Sequence, residues 1–113
     1  MTVEAFPDFI RALPMVDSPL ASLRGWMQRT EQALTMFYEI PDGVEVPEHA
    51  HGAQWGVVLK GTVEFTIGGE TRTYGPGDTF SIGDGEPHSA TISRGYVGID
   101  VFADADRYQA KTS

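Results

Sequence analysis

Cysteine is absent from the 113 residues. That excludes a disulfide framework, a thiolate metal site and a cysteine nucleophile, and it argues against a small secreted domain stapled by disulfides. Basic residues are scarce: eight Lys and Arg stand against sixteen Asp and Glu, giving a formal charge of −8 and a pI near 4.6. The eight are scattered (Arg11, Arg24, Arg29, Lys60, Arg72, Arg94, Arg107, Lys111) and form no stripe. Nucleic-acid binding requires clustered cations that displace counterions from phosphates, so DNA and RNA are not expected partners. Anionic membrane is a poor partner for the same reason. No apolar run approaches the roughly 18 residues of a membrane span, and the start MTVEAFPDFI lacks the basic residues of a secretory signal. A cytoplasmic protein is the expectation, with the acidity serving solubility.

Glycine and proline, in contrast, are plentiful, at 13 and 7 residues. They punctuate nearly the whole chain, which argues against a helical bundle. The hydrophobic fraction of 41% lies a little below the globular norm and well above that of disordered chains. One helical signal stands near the start, where Phe6, Phe9, Ile10 and Leu13 recur at i, i+3, i+4 and i+7 before Pro14. Asp8 sits in its first turn, at the positive end of the dipole.

Short strand-like runs follow: 22–30, 33–40, 54–60, 62–67, 70–74, 79–82, 87–93 and 95–102. Leu34, Met36, Tyr38 and Ile40 alternate with Thr35, Phe37 and Glu39, a period of two that fits a strand. Pro41-Asp42-Gly43 and Gly75-Pro76-Gly77-Asp78 have turn chemistry, and Ile67-Gly68-Gly69-Glu70 reads as a tight hairpin. The run QWGVVLK (54–60) is apolar at nearly every position, which predicts a strand covered on both faces. The pattern predicts an all-β sandwich or barrel, arranged as an N-terminal helical or extended arm (1–20), a barrel (21–109) and a frayed tail (110–113).

Only three histidines occur, His49, His51 and His88. On an extended strand residues i and i+2 face one side, so His49 and His51 can share one ion, with imidazole nitrogens about 2.0–2.1 Å from it. His88 follows the turn Gly83-Asp84-Gly85-Glu86-Pro87 and opens a new strand, placing it to supply a third ligand.

The stretch Gly43–Ile92 resembles the two motifs of the cupin superfamily in its small single-domain form. In the first motif five residues separate Gly43 from His49, His49-Ala50-His51 supplies the histidine pair, and six residues separate Gln54 from Gly61, which puts Gln54 at the position of the family's metal-binding Glu. In the second, Gly77, Gly83-Asp84-Gly85, Pro87 and His88 match, with Ile92 where the family has Asn and Gly83 where it has Pro. Only two residues separate His51 from Gln54, one fewer than the family spacing. The resemblance implies a double-stranded β-helix, that is, a jelly-roll barrel, with a metal site of His49, His51, His88 and Gln54. Gln54 either gives a neutral amide oxygen to the ion or orients an imidazole or a bound water from outside it. Three imidazoles plus oxygen suit a divalent Zn, Fe, Ni, Cu or Mn.

The implied role is binding or transforming a small organic molecule in a barrel pocket. Three-histidine iron centres of the superfamily run dioxygenase chemistry. The alternatives are Lewis-acid isomerase, lyase or hydrolase chemistry with Zn or Mn, and a ligand-sensing barrel without turnover. Trp26, Met36, Tyr38, Phe65, Phe80 and Phe102 are candidate pocket walls, with ordinary core packing the simpler reading of each. Tyr38 and Tyr96 are candidate proton or hydrogen-bond donors. Glu48 falls on the opposite strand face from His49, and the turn accounts for Asp84. The resemblance also implies a homodimer, with the apolar residues of the arm (Phe6, Phe9, Leu13, Met15, Val16) covering either their own barrel or a partner's.

Overall fold

The protein is described by a computed structural model over residues 5–111. After a single helical turn, α1 (Asp8–Arg11), come β1 (Val16–Asp17), β2 (Arg24–Arg29), β3 (Leu34–Ile40), β4 (Val44–His49), β5 (Gln54–Lys60) and β6 (Val63–Ile67). The chain continues through β7 (Glu70–Tyr74), β8 (Thr79–Ile82), β9 (His88–Ile92), β10 (Tyr96–Phe102) and β11 (Gln109–Ala110). A five-stranded sheet has the order β2-β3-β10-β5-β8 and a four-stranded sheet the order β4-β9-β6-β7. Every pairing between strands is antiparallel.

Alternation along the strands sends one set of side chains between the sheets. From β3 these are Leu34, Met36, Tyr38 and Ile40, all buried, as the sequence pattern predicts. Val58, Val63, Phe65, Phe80, Ile82 and Phe102 meet them from the other strands. The β6–β7 hairpin closes on Gly68 and Gly69 at φ +57° and +80°. This is the mirror-image turn that matches strand twist and that side chains beyond Cα resist.

A second cluster lies on the outer face of the five-stranded sheet, where Phe6 packs edge-on against Trp26 and Phe37, beside Val97. Ile10 and Leu13 pack against it while Phe9 is 76% exposed. The helical periodicity therefore holds for three of its four residues. Because α1 spans only four residues and begins after Pro7, Phe6 lies off the helix and Phe9 turns away from the face shared by Ile10 and Leu13. The arm thus covers its own barrel; its residues 1–4 lie outside the described residues.

Two expectations need correction. The outer face of β5 is left largely open by the described residues: Trp55 is 44% and Leu59 43% exposed. The arm's cluster reaches Val97 and Ile99 on β10 and does not extend to these two residues. The tail is also better anchored than expected, since β11 pairs with β1, Val16 opposite Ala110, and the Lys111 amide donates to Met15 O at 2.8 Å. Such a two-residue pairing carries no periodicity to read. Residues 112–113 of the predicted tail lie outside the described residues.

Candidate metal centre

His49 ends β4 and His88 opens β9, and the two face each other in register across that ladder. Their ring centroids are 4.3 Å apart. His51 lies beyond the strand end rather than on it, a departure from the simple i, i+2 reading. It is carried by a loop tied at both sides: Gly85 N–H donates to His51 O at 2.8 Å, and Gly52 N–H donates to Asp104 Oδ2 at 2.9 Å. The loop still brings the ring to 5.1 Å from that of His49 and 4.8 Å from that of His88. One ligating nitrogen from each of the three imidazoles falls within 4.8 Å of the others.

Each Nδ1 lies against a backbone carbonyl: His49 on Pro47 at 3.0 Å, His51 on Gly52 at 2.7 Å, His88 on Glu86 at 2.8 Å. A carbonyl only accepts, so Nδ1 carries the proton and Nε2 keeps its lone pair. Burial holds His51 and His88 below their ordinary pKa, which favours the neutral, ligating form. Three imidazoles with one ring nitrogen each gathered within 4.8 Å are a donor set suited to a divalent transition metal. The residues fit such an ion, and the backbone carbonyls supply the outer support that such ligands need.

Gln54, at the head of β5, lines the same cavity. Its amide Nε2 donates to Asp100 Oδ2 at 2.7 Å, which leaves Oε1 as the free atom of the amide. Asp100 is the residue that sequence reasoning missed. It sits on β10, only 2% exposed, opposite Gly56. A Cβ at Gly56 would fall 2.5 Å from Asp100 Oδ1, so the carboxylate occupies room that only glycine leaves. Tyr38 donates to Asp100 Oδ2 at 3.3 Å, while Oδ1 is buried with no hydrogen-bond partner among the described residues. Burial pushes the Asp100 carboxyl up to about 7, against the pull of the Gln54 and Tyr38 hydrogen bonds. A lone acid within the apolar run YVGIDVF was the available signal.

Arg107 was also missed. Its guanidinium stacks 4.6 Å from the Tyr108 ring centroid and 5.9 Å from that of Phe102. Its Nε is buried with no hydrogen-bond partner, and no carboxylate pairs with it among the described residues. His49, His51, His88, Gln54, Asp100 and Arg107 all line one cavity of about 300 Å³. Of the candidate walls, Tyr38, Phe65 and Phe102 border it. Trp26 belongs to the cluster under the arm, while Met36, Phe80 and Tyr96 pack in the core. Glu48 is exposed, and Glu86 Oε1 accepts from Gly83 N–H at 2.9 Å, which holds the turn before His88.

Two facing antiparallel sheets enclosing a cavity in which three histidines could hold a metal ion define a jelly-roll barrel. The cupin-domain family matches residues 36–95, and the chain belongs to that family. A solved RmlC-like cupin from Shewanella frigidimarina superposes with a TM-score of 0.75 at 22% identity, over 93% of this chain and 95% of its own. KdgF from a Halomonas species gives 0.68 at 23% identity, over 78% and 84%. An oxalate decarboxylase variant from Bacillus subtilis gives 0.69 at 19% identity, over 86% of this chain and 29% of the larger protein. At these identities the likeness is one of fold. No curated protein sequence matches the chain. No helix among the described residues is long and apolar enough to cross a membrane.

Proposed function

We propose that this cupin is a metal-dependent enzyme that moves a proton on a small anionic organic molecule. The observation that carries the reading is the placement of Asp100, a buried carboxyl with a free oxygen, in the same cavity as the three imidazoles. A divalent cation held by His49, His51 and His88 would supply Lewis acidity toward a carbonyl or carboxylate oxygen.

The remaining roles belong to the chain itself. Arg107, a cation without a carboxylate partner among the described residues, binds the anionic group of the molecule. Phe102 and Tyr108, stacked against its guanidinium, fix its position and keep water from that side. Asp100 takes a proton from carbon next to a carbonyl and returns one to another atom of the same molecule. Its carboxyl sits near the neutral point at which either direction is accessible. Gln54 and Tyr38 hold Oδ2, while Oδ1 lies in the room left by Gly56 with no hydrogen-bond partner among the described residues, so the carboxyl is fixed in place beside the imidazoles. The product is an isomer or tautomer of the substrate, and no oxidant is consumed.

Deuterium uptake from D₂O into a panel of small keto acids, followed by NMR under argon with Zn- or Mn-loaded protein, tests the reading. Exchange should proceed without O₂ and fall by about 10²- to 10⁴-fold in Asp100→Asn, with metal content by mass spectrometry unchanged. Exchange that survives in Asp100→Asn overturns the role of the carboxyl. Oxygen uptake with these or thiol substrates would instead favour the dioxygenase chemistry that the resemblance implies.

A further inference from the structure

Away from the imidazoles the cavity changes character. The β4–β9 ladder sets the direction: His49 faces His88 at one end, Val46 faces Ala90 further along, and Val44 faces Ile92 at the other end. On β6, Phe65 pairs with Ala90 and Val63 with Ile92, so the same progression continues on the neighbouring strand. From His88 to Ile92 is four residues, about 13 Å of strand. The lining includes the apolar residues Leu20, Leu23, Ile40, Val46, Val63 and Ile92, of which Val46, Val63 and Ile92 lie along the strands leading away from the His49–His88 pair.

Leu20 and Leu23 arrive from the segment between β1 and β2. It is shaped locally, with Leu20 N–H on Ser18 Oγ at 3.1 Å and Leu23 N–H on Leu20 O at 3.4 Å, and a hydrogen bond of Asp42 N–H to Ser22 Oγ at 3.3 Å ties it to the turn after Ile40, whose Gly43 lies beside Ile92. A hydroxyl placed there would lose its water and gain no side-chain partner, which costs free energy. A methylene placed there gains burial.

Building on the proton-transfer reading of the site, we infer that the molecule it accepts is amphiphilic: a small carboxylate whose head lies at Arg107 and the imidazoles and whose unhydroxylated hydrocarbon body fills the lobe between Leu20, Leu23, Val46 and Ile92. Polyhydroxylated acids are excluded by the same lining. The cavity of about 300 Å³ takes on the order of ten heavy atoms, at about 30 Å³ for each water-sized unit.

Calorimetric titration of the Zn-loaded protein with acetate, butanoate, hexanoate, octanoate and dodecanoate, with the matching n-alcohols and with gluconate, tests this without turnover. Affinity should rise about fourfold per methylene up to octanoate and stop rising by dodecanoate, and gluconate should bind no more tightly than acetate. Leu23→Asn should weaken octanoate at least tenfold and leave acetate unchanged, with Leu23→Met restoring octanoate. The wild-type series decides the matter even if Leu23→Asn does not fold. A flat series in both acids and alcohols, or gluconate tighter than hexanoate, overturns the inference. The alcohols separate it from the reading on which it rests. A methylene increment in the alcohols with no advantage of carboxylate over alcohol would overturn the anionic head and hence the amphiphilic acid. Tight acetate with no increment would leave the head standing and overturn the hydrocarbon body alone.

Discussion

On the four-stranded sheet the titratable groups that enter the cavity, His49 and His88, each have Nδ1 on a carbonyl two residues earlier in the chain. On the five-stranded sheet the corresponding group is Asp100, whose partners Gln54 and Tyr38 lie 46 and 62 residues away. The imidazoles are oriented by their own strand ends, so their lone pairs converge wherever the two strands pair. The carboxyl is oriented by three other positions at once, two that donate hydrogen bonds and Gly56, which makes room. One side of the cavity is locally determined and the other is a product of the whole sheet. Substitutions should therefore act locally on the first side and spread on the second.

The largest effect expected is on the imidazole side. His49→Ala with His51→Ala should reduce bound metal to near zero by mass spectrometry and leave the barrel folded, because these two side chains are only half-buried. Retained metal would break the assignment of the donor set. Next comes Gly56→Ala on the other side. The added methyl would press on Asp100 Oδ1 and on the Phe80 ring, and overpacking of this kind costs about 1–3 kcal/mol, read by denaturant unfolding. A loss within error of zero would mean that the carboxyl has room to move.

A smaller effect is the pH dependence of stability. The folded-state pKa of Asp100 is raised to about 7 from an ordinary 3.8, so the native state binds the extra proton between those values. Its contribution is then fully present below about pH 4 and is lost as pH rises through about 7. The stability of the wild type relative to Asp100→Asn should accordingly fall from pH 4 to 7 and level off above. A relative stability that rises over that interval would contradict the burial of the carboxyl. Smallest is Glu48→Ala, which should change stability by less than about 0.5 kcal/mol and leave metal content alone, since the side chain is exposed.

The contrast also explains what could be read beforehand. Burial alternation on Leu34–Ile40, the Gly68-Gly69 hairpin and the start of β9 at His88 are each set by a few neighbouring residues, and the sequence carries them openly. The histidine trio was legible because His49 ends one strand and His88 opens its partner, although the loop position of His51 was not. Gln54 was singled out by its place in the motif and lines the cavity, but its hydrogen bond to Asp100 was not legible, since the partner comes from β10. Arg107 looked like one of eight scattered cations, and only the return of the chain after β10 brings it over Tyr108 and Phe102. The exposure of Trp55 and Leu59 was misjudged for the same reason: an apolar strand shows that it can be covered on both faces, while the extent of the arm decides whether it is.

The two tryptophans stand in opposite surroundings, Trp26 at 4% and Trp55 at 44% exposure. Trp26 is the one beneath Phe6, and Trp55 is the one beyond the arm's reach. Intrinsic fluorescence therefore contains a shielded emitter and a wetted one in a single spectrum. Detaching the N-terminal segment would redden the first and leave the second as an internal standard, so the grip of that segment on the sheet can be followed optically with no added dye.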